Sequence, residues 1–306
     1  MTAGRVPEVE IDLGVTATAV TGDEPLVLVV ADGKLEGLPL GAFDPAGDPT
    51  LERALRGWIR QQAGLEVGYV EQLYTFGDRD RDPSRRKGDP VTGRVVTIGY
   101  VALGLEVPSR GTPGARWRGW YEYFPWEDLR DGPPAVLDDV IRPAVDAWAA
   151  RNRREAPRRR ERVEIAFGRR GGPWDGERVL DRYELLFEAG VVAEGGASLA
   201  RNVGRPMRLD HRRILATAIG RLRGKIRYRP VVFELLPPAF TLLELQRIVE
   251  ALAGVALHKP NFRRLVERGG LVEPTGGERR DTGGRPAATF RFRREVLRER
   301  PAPGVG

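Results

Sequence analysis

The 306-residue sequence contains no cysteine. That excludes disulfides, thiolate zinc sites and cysteine nucleophiles. There are only two histidines, His211 and His258, too few to build a histidine metal centre. No apolar run approaches the ~18 residues needed to cross a bilayer. The opening MTAGRVPEVEIDLGV lacks a basic segment followed by an apolar stretch, so no secretory signal is expected. These absences fit a cytoplasmic protein with no membrane partner, no metal and no resident cofactor. With 41% hydrophobic and 30% charged residues, the chain reads as globular and long enough for two domains.

Positive charge is plentiful and unevenly placed. Residues 201–306 hold 23 Lys+Arg against 10 Asp+Glu, a net of +13, which leaves −6 on residues 1–200 of a chain whose total is +7. An acidic first part joined to a strongly basic last third points to a polyanion partner for the latter.

Apolar patterning predicts strands in VEIDLGVTATAV and PLVLVV, separated by the turn TGDE. A helix follows, with Asp48 as its expected N-cap, Pro49 at the first position and Gly64 as the stop. VGYVEQLYTF and GRVVTIGYVALGLEV read as further strands. The aromatic block WRGWYEYFPWEDL leads to a helix around 135–150. RNRREAPRRRER, residues 151–162, has so little apolar content that a linker or exposed turn is expected. The insert continues with a helix around 176–189, and a linker helix is expected over about 209–226. The domains read as 1–150, an insert of 151–208, and 209–306.

The C-terminal third carries the most informative order of signals. TLLELQRIVEALAG opens with a capping box, in which Thr241 and Glu244 satisfy each other's backbone N–H groups. KPNFRRLVERGG then gives a second helix, with Phe262, Leu265 and Val266 expected on its inner arc and Arg263, Arg264 and Arg268 opposite. Arginine can take guanine bidentately in the major groove, and Asn261 can take adenine. LVEPTGGERRDTGGRPAATFRFRREV follows as a hairpin with Arg279, Arg280 and Arg285 near its tip, suited to phosphate or minor-groove contact. A winged helix-turn-helix is expected, with Thr241, Lys259, Asn261, Arg263, Arg264, Arg268, Arg279, Arg280 and Arg285 at the DNA. Arg221, Arg223 and Lys225 at the end of the linker helix are candidates for phosphate contacts, or simply for a solubilised helix end.

Residues 25–65 have the strand–loop–helix layout of a Nudix fold. Placing that fold's terminal Gly–aliphatic pair on Gly64-Leu65 puts its paired glutamates at Gln61 and Gln62, and its Arg-Glu at Gly57 and Trp58. Neutral amides are poor ligands for Mg²⁺, and Glu52 alone cannot replace the missing carboxylates. No catalytic residues are assigned, and hydrolysis is expected to be lost. YVEQLYTFGDRDRDP…RVVTIGYVAL, LDHRRILATAIGRLRGKIRYRPVVFELLPPAFTLLELQ and GRPAATFRF together resemble the Nudix-related transcriptional regulators of the NrtR type. WRGWYEYFPWEDLRDG and the insert are similar in particular to the NadQ regulators of alphaproteobacteria. The expected fold class is therefore α+β: a degenerate Nudix-like α/β/α domain, a linker helix and a C-terminal winged helix-turn-helix. The resemblance implies a dimeric repressor of NAD biosynthesis genes on a palindromic double-stranded operator. It also implies an effector such as ADP-ribose, NAD or a related adenine nucleotide. Typical NrtR proteins lack the 151–205 insert.

A nucleotide needs cations for its phosphates and an apolar face for adenine. TFGDRDRDP offers Arg79 and Arg81 beside Tyr74 and Phe76, with Asp78 for a ribose hydroxyl. Equally, the two aromatics could point into the core and the charges could pair on the surface. Two rival functions remain open from sequence: an active nucleotide pyrophosphohydrolase fused to a DNA-binding domain, and an RNA-binding protein.

Overall fold

A computed structural model describes residues 9–33, 35–78, 94–106, 114–168, 172–196, 203–227, 229–279 and 286–295. Alternating apolar residues build the N-terminal sheet from β1 (Val9–Thr21), β2 (Glu24–Asp32), β3 (Leu35–Gly37), β4 (Leu40–Ala42), β5 (Tyr69–Phe76), β6 (Arg94–Leu103) and β7 (Ala115–Gly119). The strand order is β3-β2-β1-β6-β5, with β4 also paired to β1 and β7 to β2. β1 and β6 run parallel, from Val9 opposite Arg94 to Thr18 opposite Leu103. A central parallel pair must be covered on both faces. Leu13, Val15, Leu28 and Tyr100 face one core, while Val27, Val29, Val101 and Leu103 face the other.

Helix α1 (Leu51–Ala63) covers the first face through Ala54, Leu55 and Ile59. Its N-cap is Thr50, whose side chain accepts from the Arg53 N–H. The expected cap Asp48 instead accepts from Asp44 N, 3.0 Å away, inside the preceding turn. Gly64 ends the helix in the left-handed region as expected.

A helical layer covers the second face: α2 (Trp120–Tyr123), α3 (Arg142–Ala150), α4 (Ala156–Phe167), α5 (Val179–Glu188) and α6 (His211–Lys225). The stretch expected to be a linker is mostly helix. α4 takes up residues 156–167, packs Val163, Ala166 and Phe167 inward, and turns its arginines to solvent. Arg159 lies over the Trp148 ring, 4.5 Å from its centre. Residues 151–162 hold seven arginines, and the apolar positions that fix the helix, Val163, Ala166 and Phe167, lie just beyond them. Nor is α6 a free connector: Ile214, Leu215, Ala216, Ala218, Ile219 and Leu222 are all buried. A helix apolar on most sides belongs inside a core. One apolar core runs without interruption from Val27 in the sheet through this layer to Val266 near the C-terminus.

The last part is β8 (Phe240–Thr241), α7 (Leu242–Ala253), α8 (Lys259–Arg268), β9 (Val272–Arg279) and β10 (Ala287–Phe292). The small sheet runs β8-β10-β9. The expected capping box is present: Glu244 N donates to Thr241 Oγ1 (3.2 Å), and Thr241 N donates to Glu244 Oε2 (2.7 Å).

These parts meet at a buried carboxylate. Glu127, on the turn after α2, accepts from Arg182 of α5 (2.5 and 2.8 Å) and from Arg223 of α6 (2.6 Å). All three side chains are essentially inaccessible. Arg223 also donates to Leu252 O in the last turn of α7 (3.0 Å) and to Glu127 O (3.1 Å). Gly254 follows at φ 70°, and a Cβ there would lie 2.4 Å from Glu127 O, so only glycine fits. Burial alone would raise the Glu127 carboxyl pKa. Arg182 and Arg223 outweigh that and hold it below the ordinary carboxylate range.

Glu127→Gln leaves two buried guanidinium groups without their counter-ion and is expected to destabilise the chain by about 3–5 kcal/mol in urea unfolding. Because the folded pKa is depressed, this stabilisation is present above the unfolded carboxylate value of roughly 4.3. It disappears as pH falls through the lower folded value. Wild type should therefore lose stability more steeply than Glu127→Gln on acidification below about pH 4.

Candidate functional site

Helix α8 follows α7 after a short turn, with Pro260 in its first turn where the missing N–H costs nothing. Val266 is buried and Phe262 packs against the core. Lys259, Asn261, Arg263, Arg264 and Arg268 are exposed, as the sequence pattern predicts. Arg264 donates to Asn261 Oδ1 (3.0 Å), bracing the amide across one helical turn. Leu265 departs from expectation. Placed on the inner arc by sequence, it is 68% exposed. At ~100° per residue it lies beyond the edge of the stripe set by Phe262 and Val266, on the flank next to Asn261 and Arg268.

Other expected DNA contacts are placed elsewhere. Thr241 is 3% exposed, paired with Thr289 and spent on the cap of α7, so it is no DNA contact. Arg279 is half-buried, paired with Glu244, and donates to Ala239 O (3.1 Å), joining the wing to the start of α7. Arg280 and Arg285 lie outside the described residues. At the end of α6, Arg223 is corrected from phosphate contact to core ion pair, for the reasons given above. Lys225 is mostly covered and bonds Glu71 and Tyr69, which disfavours a phosphate role. Arg221 remains half exposed, 3.9 Å from Glu71.

The effector candidates also divide. A register shift between Gln72 and Tyr74 in the β5–β6 ladder breaks the simple alternation. Tyr74 stands 61% exposed, whereas Phe76 is 6% exposed and touches the Tyr74 ring edge-on at 5.2 Å. Phe76 is therefore corrected from ligand platform to support, while Tyr74 keeps an open face. Asp78 is exposed, 3.7 Å from Arg213 of α6. Arg213 also grips Glu184 of α5. Arg79 and Arg81 lie outside the described residues.

On α1, the face where the Nudix signature would carry carboxylates is occupied differently. Trp58 lies flat against Gly41 of β4, so close that a Cβ on Gly41 would sit 2.2 Å from the ring. Gln62 Nε2 donates to Leu40 O (3.3 Å). Glu52 is held by Arg56 (2.9 Å). Among the described residues, no group of three or more His, Asp or Glu is placed to hold a metal ion.

Sequence reading missed the buried arginines. Arg182 falls on the stripe of Val179, Tyr183 and Leu186, and Arg212 on that of Leu215, Ile219 and Leu222. Arg212 bonds Glu194 (3.2 Å) and Val203 O (2.8 Å) beneath Phe124, Trp126 and Tyr183. A cation on an apolar stripe was the available signal, because it has to be paired to be buried. A half-buried cluster, in which Glu36 pairs with Arg116, Arg118 and Arg205 and accepts from Tyr123 (2.7 Å), was equally invisible.

Comparison with known proteins agrees with this geometry. Residues 232–292 match the family described as the NrtR DNA-binding winged helix domain. A curated relative, the ADPR responsive transcriptional repressor NtrR of Acinetobacter baylyi, is 43% identical over 83 residues. That stretch is 27% of this chain and 33% of the relative, so about a third of the relative's length is matched. The crystal structure of Shewanella oneidensis NrtR complexed with a 27mer DNA has the same fold at a TM-score of 0.58 and 20% identity, covering 94% of this chain and 95% of that one. A MutT/nudix family protein from Enterococcus faecalis gives 0.55 at 17% identity, covering 96% and 90%. The chain thus has a Nudix-like α/β/α fold followed by a winged helix, and its residues 232–292 match the NrtR DNA-binding winged helix domain.

Proposed function

We propose that the chain is a DNA-binding transcriptional repressor governed by an adenine nucleotide such as ADP-ribose or NAD. It would act in the cytoplasm as a homodimer on a palindromic operator of NAD biosynthesis genes. The observation that carries the DNA reading is α8: a helix anchored by Phe262 and Val266 that presents Lys259, Asn261, Arg263, Arg264 and Arg268 to solvent. Such a face fits the major groove, where guanidinium and amide groups read base edges. We assign Arg221, together with Arg280 and Arg285 from the sequence between β9 and β10, to phosphate contacts, which position the protein without reading sequence.

The effector reading rests on Tyr74 and Asp78 at the end of β5, with Arg79 and Arg81 following in sequence. An exposed aromatic can stack on adenine, and a carboxylate can accept ribose hydroxyls. Asp78 shares Arg213 with Glu184. A ligand that occupied Asp78 would release one exposed ion pair, at small cost, and so alter the hold of this edge on α6. The two protomers' recognition helices would then leave the half-site spacing of ~34–36 Å or its multiples. The nucleotide must bind the two states unequally for this to occur. We read the Nudix-like domain as non-catalytic, because Trp58, Gln61 and Gln62 stand where carboxylates would be needed to hold Mg²⁺.

Fluorescence anisotropy of the full chain on NAD-biosynthesis promoter duplexes, at fixed salt, should show tight selective binding that one adenine nucleotide shifts. Binding no tighter than to random duplex, indifferent to every nucleotide, would sink the regulator reading. Arg264→Ala should cost about 1–3 kcal/mol of specific affinity and relax preference at one base pair, while barely affecting random duplex. In a separate assay, ADP-ribose incubated with the chain and Mg²⁺ should be recovered intact by ion-exchange chromatography. Mg²⁺-dependent turnover would restore the pyrophosphohydrolase reading.

A further inference from the structure

Leu265 is the most exposed of the large hydrophobic side chains among the described residues, at 68%, ahead of Tyr74 and Val9. A single exposed leucine is ordinarily unremarkable. The surroundings of this one are not ordinary. Leu265 sits on α8 four residues after Asn261 and three before Arg268, and side chains at those separations are neighbours on a helix. The rest of the exposed face is Lys259, Asn261, Arg263, Arg264, Glu267 and Arg268. The core needs Phe262 and Val266 from this helix and makes no use of Leu265. The most exposed large apolar side chain is thus on a cationic surface whose charge suits a polyanion.

B-DNA offers one apolar group in the major groove, the thymine C5-methyl, and aliphatic side chains contact it there. Resting on the DNA-binding reading above, we infer that Leu265 is a specificity-determining residue that packs against a thymine methyl in each operator half-site. Asn261, on the same flank and braced by Arg264, is then placed for the neighbouring base pair. Leucine supplies no hydrogen bond and no charge. Its contribution is therefore confined to one thymine and should be nearly independent of salt, unlike that of its arginine neighbours.

The test isolates that methyl. The operator duplex is first obtained by selecting the full chain's tightest binder from a random-sequence pool. Each half-site thymine is then replaced singly by deoxyuridine, which removes only the methyl group. At one position per half-site, this should weaken wild type about three- to five-fold, the size expected for one buried methyl group. Leu265→Ala, a change at an exposed helical position that should leave folding intact, should bind the thymine and deoxyuridine duplexes equally at that position. It should keep wild-type sensitivity at all other thymines and an unchanged salt slope. If the deoxyuridine penalties are the same in wild type and Leu265→Ala, or no thymine is sensitive, this inference fails while the DNA reading stands. If no duplex is selected, both fail together.

Discussion

The Glu127 carboxylate is the constraint to which the rest of the molecule is arranged. It lies on the turn leaving the N-terminal sheet, and its two guanidinium partners come from α5 and α6. None of these three groups could be buried alone, since an unpaired charge in the interior costs several kcal/mol. The sheet, the insert and the start of the reader module therefore have to be assembled together. Neighbouring contacts extend the same joint to α7: Arg223 meets Leu252 O, Tyr121 donates to Ala251 O (2.6 Å), and Leu129 N donates to Gly254 O (2.7 Å). The last turn of α7 is thus capped by residues of another part of the chain, and its orphan carbonyls are satisfied there.

That joint explains the insert. Read as sequence, residues 151–162 look like a linker or exposed turn, and the helical insert that follows to residue 208 has no assigned role. In the fold they provide α4 and α5, together with Arg182, Glu194 and the carbonyl of Val203. They form a wall against which α6 is buried, and they supply one of the two cations that Glu127 needs.

Legibility followed the physics of each signal. The recognition module was readable because its cues are local: the Thr241–Glu244 box, Pro260 at the start of a helix, Gly254 and Gly269-Gly270 at the ends. The strands of the sheet were readable from alternation. Leu265 was misplaced because three apolar residues within five suggest one stripe, whereas only two of them face the core. Phe76 and Tyr74 were assigned together because strict alternation gives them one face. They do share it, and their rings touch, but cover along that face is uneven: Phe76 is buried and Tyr74 stands open. The buried ion pairs were illegible for a different reason. Glu127 and Arg182 are 55 residues apart in sequence: the apolar stripe around Arg182 says that the cation needs a partner, but nothing local says which carboxylate supplies it.

The same network bears on how a ligand signal would reach DNA. Arg213 and Arg223 lie on α6 ten positions apart, near opposite ends of one buried helix. The first faces the exposed Asp78 beyond β5, and the second holds the end of α7. A rise of 1.5 Å per residue separates them by about 15 Å along the axis. A packed helix is stiff on that scale, so displacement at its Arg213 end is passed on rather than absorbed. The weak member of this arrangement is the solvent-screened Asp78–Arg213 pair, and the strong member is the buried triad. Ligand binding near Asp78 would therefore change the easily broken contact and move α6 with its Arg223 anchor intact. The winged helix would shift as a body, without separating from the N-terminal domain.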